Sequence, residues 1–276
     1  MAFKNCGRPD PFTRTVREVY RANVLGSPRA GVEPLLGLAV IDRKVQPRGA
    51  LSGLLADDGV PLPGPVTVPV VDLSGLRSAS LDLKVGASLT AGFLAALGLP
   101  IPGADVSLTL LSGARSVDFE VRDVSECMVD LGAVGKALSG RTLADNPATK
   151  VFLTDSSVRL LFVSRVLRSR HFAVHTKGEA GQSAEVSVDA IEDMIGKAHG
   201  SVGWKRESAD TLSFQGATDV SFAFAAVPCA VQADRTIVFG VETENLTWGK
   251  TPSKPEVKPV VEEDGLLDFD DGPDIS

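Results

Sequence analysis

Leu81-Asp82-Leu83-Lys84-Val85, then Asp105-Val106-Ser107-Leu108-Thr109-Leu110, then Arg115-Ser116-Val117-Asp118-Phe119-Glu120-Val121-Arg122 share one pattern. Apolar and polar residues alternate along each, and side chains alternate between the faces of a strand. Each run therefore reads as a strand with one oily face and one wet face. Leu111-Ser112-Gly113-Ala114 supplies turn residues, so Asp105 to Asp123 reads as a hairpin. Between the first run and this hairpin, Val85 to Ala104 is a run of 20 residues without a charge. Its length just reaches that of a membrane-spanning helix. Gly86, Gly92, Gly98, Gly103, Pro100 and Pro102 interrupt it, which leaves Ser88 to Leu99 as a buried helix with Leu89, Phe93, Leu94 and Leu97 on one side.

Working outward, Pro11 to Ala22 reads as a short helix whose Arg14, Arg17 and Arg21 form a basic face, with Val16, Val19 and Tyr20 as anchors. That face is either simply solvated or a contact for anionic phosphates. Leu35 to Asp42 reads as a strand, Arg43 to Gly49 as a basic turn, and Val66 to Val71 as a strand. Leu131 to Leu138 reads as a short helix. Val151 and Leu153 alternate as in a strand, and Val158 to Leu167, with Val158, Leu160 and Phe162, is a long apolar strand. Phe172 and Val174 alternate with His171, Ala173 and His175. Val186 and Val188 lie on a returning strand, and Asp189 to Ala198 reads as a helix around Met194. Thr211 to Phe214, Asp219 to Ala226 (Val220, Phe222 and Phe224 on one side) and Arg235 to Glu242 complete the strands. The fold class is α+β, a twisted and mainly antiparallel sheet with short helices packed around it.

The chain has 276 residues, 43% hydrophobic and 23% charged, which suits a sizeable core. Its net charge of −7 is not spread evenly. Glu262, Glu263, Asp264, Asp268, Asp270, Asp271 and Asp274 follow the last base, Lys258, and without these seven the chain carries 28 acids against 28 bases. A near-neutral body, 1–248, with 25 bases against 27 acids, precedes a Lys/Pro-rich linker and an acidic tail, 249–276. The tail mixes acids with Leu266, Leu267 and Phe269, so it is either a docked segment or a solubilising one. Three cysteines in no repeated spacing suggest a reducing compartment, and 1–10 lacks an apolar signal core.

Catalytic patterns do not emerge. His171 and His175 share a strand face without a third ligand nearby, and Gly132 to Ala137 lacks the spacing of a phosphate loop. Asp118 and Glu120 read as a solvated strand face, and Cys127 and Cys229 as buried structural thiols. No motif implies a cofactor or a metal. A near-neutral body with 5% aromatics argues against nucleic acid as a partner.

The ordered set of Asp10-Pro11-Phe12 before a basic helix, Val71-Asp72-Leu73-Ser74-Gly75 before the Leu81 strand, the apolar helix at Phe93, the Phe162 to Val174 strands and Phe222-Ala223-Phe224-Ala225 resembles the bacterial gasdermin family. The resemblance implies a non-enzymatic pore-forming precursor held inactive by its C-terminal peptide. A caspase-like or other protease would remove that peptide. The freed body would then pass from the cytoplasm to the inner membrane and oligomerise with itself, and would kill the cell in antiphage defence. It also implies lipid attachment at Cys6. Cleavage would fall between Leu246 and Lys258, with Lys250 and Lys254 in the same accessible stretch.

The strand pattern agrees with that picture. Only closed barrels let strands cross a bilayer, and each strand needs about 9–11 residues with one apolar face. The candidate staves carry Leu81 and Leu83; Val106, Leu108 and Leu110; Val117, Phe119 and Val121; Val158, Leu160 and Phe162; Phe172 and Val174; and Val186 and Val188. Asp118, Glu120, Arg122 and Arg159 would face a wet lumen, and the helices near Phe93 and Met194 would cover the apolar faces before insertion. The alternative is a self-assembling structural or interaction β-protein with no membrane step. Acylation gives a direct prediction: mass spectrometry of cell-derived protein finds a lipid-sized mass increment on Cys6 that Cys6→Ala abolishes, and an unmodified thiol rejects the assignment.

Overall fold

The computed structural model describes residues 11–41, 44–56, 59–70, 73, 81–98, 114–155, 157–178, 202–239 and 269. Two very long strands form its axis. β8 is Arg159–Lys177 and β10 is Thr211–Val231, and they pair antiparallel from Thr211 opposite His175 to Cys229 opposite Leu160. At about 3.3 Å per residue such strands run on the order of 60 Å.

Shorter strands flank this pair. Along the free side of β8 lie, in turn, β2 (Leu36–Ile41), β7 (Ser125–Met128) and β6 (Ser116–Arg122). Along the free side of β10 lie β9 (Val202–Ser208), β1 (Asn23–Arg29) and β11 (Ile237–Phe239). β3 (Lys44–Ala50) extends from β2, β4 (Val66–Pro69) from β7, and β5 (Leu81–Asp82) from β6. All these pairings are antiparallel and the sheet is open. Among the described residues four helices pack on it: α1 (Pro11–Tyr20), α2 (Leu83–Ala96), α3 (Leu131–Leu138) and α4 (Pro147–Thr154).

The first half of β8 is buried on both faces, so Leu160, Leu161, Phe162 and Val163 read as a continuous apolar run rather than an alternating one. One face, with Leu160, Phe162 and Val227, is covered by α3, α4 and the short 3-10 turn at Leu51–Leu54. The opposite face gathers Leu25, Leu38, Val40, Val45, Leu161, Val163 and Phe224. The second half of β8 alternates. Phe172 and Val174 join Val117, Phe119, Val121, Leu212 and Phe214 beneath α2 and α1. Phe93 of α2 sits at 4.9 Å from the Phe119 ring and 5.0 Å from Phe172.

Several sequence expectations change. Leu83 is not on a strand: it opens α2, which starts five residues before Ser88. Five alternating residues are too few to separate the two periodicities, and tertiary contact decides. A Cβ at Gly86 would lie 2.8 Å from Val117 Cβ, so only glycine lets the first turn of α2 lie flat on β6. Val151 and Leu153 are helical because Asn146 accepts from the Ala148 and Thr149 amides in a full capping box with Pro147 in the first turn. The basic turn at 43–49 is strand β3 from Lys44 on, with Pro47 tolerated beside a register shift on an edge strand.

Val158 immediately precedes β8 and is buried. The two strands expected at 158–167 and around Phe172 are one, as are those at 211–214 and 219–226, because β-bulges carry β10 through its polar middle. Arg235 to Glu242 reduces to Ile237–Phe239 within the described residues. Val19 is 60% exposed; Phe12, Val16 and Tyr20, four apart, form the buried stripe of α1. The wet face of Asp118 and Glu120 is buried. Val106, Leu108, Leu110, Val186, Val188 and Met194 lie outside the described residues. Among the described residues no helix is long and apolar enough to cross a membrane.

Phe93 is the keystone of the α2 contact, so Phe93→Ala should cost about 3–5 kcal/mol of unfolding free energy. Urea denaturation checks this; a loss below about 1 kcal/mol would show that α2 contributes little to the stability of the fold.

Candidate functional site

Two features of the sheet combine unusual chemistry with placement. The first is on the doubly covered end. Phe269, from the acidic tail, forms a parallel bridge with Val45 on β3, whose outer edge presents backbone groups that β2 does not use. Its ring stacks on Phe224 at 5.4 Å between centroids and 14° between planes. The guanidinium of Arg29, on β1, lies 5.3 Å from the ring centroid. Phe269 is half-buried against the cluster of Leu25, Leu38, Val45, Leu161 and Val163.

Bulges create this slot. In a regular strand Phe222 and Phe224 would share a face. The register shift between Ser221 and Ala223 turns the chain, so Phe222 enters the α1/α2 cluster while Phe224 faces Phe269 on the other side. Val220, Phe222 and Phe224 therefore do not form the single row expected from the sequence. Arg29, Val45 and Phe224 escaped sequence reasoning, since nothing local marks the bulge.

The second feature is the polar face of β6, β8, β10 and β9. His175 places Nε2 at 2.8 Å from Glu120 Oε2 and Nδ1 at 2.9 Å from Thr211 Oγ1, which occupies both ring nitrogens. Lys177 pairs with Asp118 at 2.7 Å. Arg122 donates from Nε to Glu120 at 3.0 Å and forks onto Glu207 of β9 at 2.6 and 2.9 Å. These hydrogen bonds hold Glu207 down at about 2, with Arg122 as the main cause, and push Arg122 above its ordinary value through Glu207 and then Glu120. His171 Nδ1 meets Asp123 at 2.9 Å, away from His175's partners, so the two histidines do not converge. Among the described residues no three ligating side chains come together to hold a metal.

The other candidates are placed as follows. Arg14 is exposed, Arg17 half-buried, and Arg21 exposed just beyond α1 in a left-handed conformation with φ of 50°. Arg165 closes that helix end by donating to the Tyr20 carbonyl at 3.1 Å while pairing with Glu126. Val117, Phe119, Val121, Phe172 and Val174 lie side by side beneath α2 and α1, whereas Leu160 and Phe162 lie in the α3/α4 cluster. Cys127 and Cys229 are buried thiols, and burial pushes Cys229 up to about 12. Cys6, Leu246, Lys250, Lys254, Lys258, Leu266 and Leu267 lie outside the described residues.

A family model described as the Bacterial Gasdermin Family matches residues 25–237. This chain belongs to the bacterial gasdermin family. As a gasdermin it is a member of a family of pore-forming proteins. It is 28% identical over 209 residues to Gasdermin bGSDM of Lysobacter enzymogenes, covering 74% of this chain and 75% of that protein. Over 259 residues it is 25% identical to Gasdermin bGSDM of Vitiosangium sp., covering 90% and 93% of the two. Its fold matches the structure of a bacterial gasdermin from Bradyrhizobium tropiciagri with a TM-score of 0.61 at 17% identity, over 94% of this gasdermin and 96% of that one.

The depressed Glu207 group carries a pH dependence. Its ordinary value is 4.5 and its folded value about 2, so the unfolded chain binds the proton first as pH falls. The stabilisation it contributes is complete above about pH 4.5 and is lost between about 4.5 and 2. Thermal melts of wild type and Glu207→Gln should differ at pH 7 and converge as pH approaches 2; a constant difference would reject the pairing.

Proposed function

We propose that this gasdermin is an autoinhibited precursor in which the acidic tail, 249–276, restrains the pore-forming body, 1–248. A caspase-like or other protease cuts between Leu246 and Lys258, within reach of Lys250 and Lys254. The body then meets anionic lipid through Arg14, Arg17 and Arg21, assisted by an acyl chain on Cys6, and assembles with many copies of itself. Release at the inner membrane of an infected cell would end phage multiplication by killing it.

The single observation that carries this reading is the docking of Phe269 against Phe224 and Arg29. Asp268 and Asp270 adjoin Phe269 in the sequence, and Asp271 follows. Docking therefore covers apolar surface of the Leu161/Val163 cluster, and the acids adjoining Phe269 in sequence would add negative charge to the tail; both oppose contact with anionic lipid. Leu266 and Leu267 would extend the same docking. After release, the Phe119/Phe172 row is suited to lipid and the Glu120/His175/Arg122 row to a wet lumen, since adjacent strands share their faces.

The test is dye leakage from phosphatidylglycerol-containing vesicles, using the full chain with a specific protease sequence replacing 251–257. Cut protein should release dye and uncut protein should not. Phe269→Ala removes a ring stack and a cation contact worth ~1–2 kcal/mol together, so uncut variant should leak at roughly tenfold the uncut wild-type rate. Intact vesicles with cut protein would favour the non-membrane β-assembly.

A further inference from the structure

Arg122 and Glu207 are separated by two intervening strands. The paired row runs from Arg122 on β6 through His171 on β8 and Gln215 on β10 to Gly203 on β9. Glu207 lies further along β9, at a register shift between the Ser208–Thr211 and Arg206–Leu212 pairs. In a flat sheet, three strand spacings across and between three and four residues along would separate the two Cα atoms by roughly 18 Å. Outstretched arginine and glutamate side chains joined by a hydrogen bond span only roughly 15 Å at standard bond lengths. Yet the guanidinium forks onto this carboxylate at 2.6 and 2.9 Å. Small side chains on the intervening strands, Ala173 and Ser213, leave room for the arm to cross. The contact closes because the soluble sheet is twisted and coiled toward this face.

We propose that the Arg122–Glu207 pair is a latch on sheet curvature that slows passage of the released body into its membrane form. The inference rests on the pore-forming reading above, with β6, β8 and β10 as staves. Barrel diameter grows with strand number, so a barrel shared by many copies is nearly flat across any four neighbouring strands. There the pair cannot reach and must open first. Arg122 keeps Glu120 as a neighbour on its own strand in either form, so the cost of opening falls on Glu207. Phe269 governs whether the body is released; this pair governs how fast it flattens afterwards.

The experiment compares wild type, Glu207→Gln and Asp234→Asn in the same protease-cut full chain on phosphatidylglycerol/phosphatidylethanolamine vesicles. Asp234 is exposed in the turn between β10 and β11, off the staves, and its replacement removes the same charge elsewhere while keeping an oxygen for the Thr236 amide. Leakage rate and vesicle co-sedimentation are both recorded. The latch predicts that Glu207→Gln leaks roughly two- to fivefold faster, in keeping with a partly exposed ion pair, with unchanged co-sedimentation and with Asp234→Asn at the wild-type rate. Equal rates for Glu207→Gln and wild type overturn it, as does an equal acceleration by Asp234→Asn or a matching rise in vesicle binding, either of which assigns the effect to net charge. If cut wild type leaves the vesicles intact, the pore-forming reading fails and takes the latch with it; a leaking wild type with an unaltered variant sinks the latch alone.

Discussion

The β8–β10 ladder has apolar residues on both faces over half its length, and that constraint shapes everything around it. A strand with Leu160, Leu161, Phe162 and Val163 in succession cannot leave either side to water. α3, α4 and the Leu51–Leu54 turn cover one side. The other side is assembled from β1, β2 and β3 and from Phe269, which arrives from the far end of the chain. Part of this apolar face is therefore covered by a residue remote in sequence from the strands it packs on.

The other half of the ladder solves burial differently. Its apolar row is roofed by α2 and α1, and its polar row is closed by ion pairs that join strands across the sheet. The helices cover the greasy row, and the charged row satisfies itself through its own pairs. On the function proposed above, lipid would take the helices' place while the charged row stayed wet.

Much of this was legible along the chain. Alternation at Val117, Phe119 and Val121 and at Phe172 and Val174 predicts strands, and both are found on one face. The helix at Leu131 to Leu138 and the basic α1 appear where spacing places them. The acidic tail stands out by composition. What misled was local ambiguity. Val151 and Leu153 alternate, yet Asn146 and Thr149 nucleate a helix there; Leu83 alternates with its neighbours, yet Gly86 lets a helix settle on Val117.

Composition and periodicity were enough for an α+β sheet protein with an acid-rich end. They were enough because burial and solvation act on each residue through its own side chain. Tertiary structure alone decided which side Phe224 faces, that Phe269 meets it, and that Arg122 reaches Glu207. Those outcomes depend on bulges and on accumulated twist, properties of paired strands that no single stretch of chain encodes.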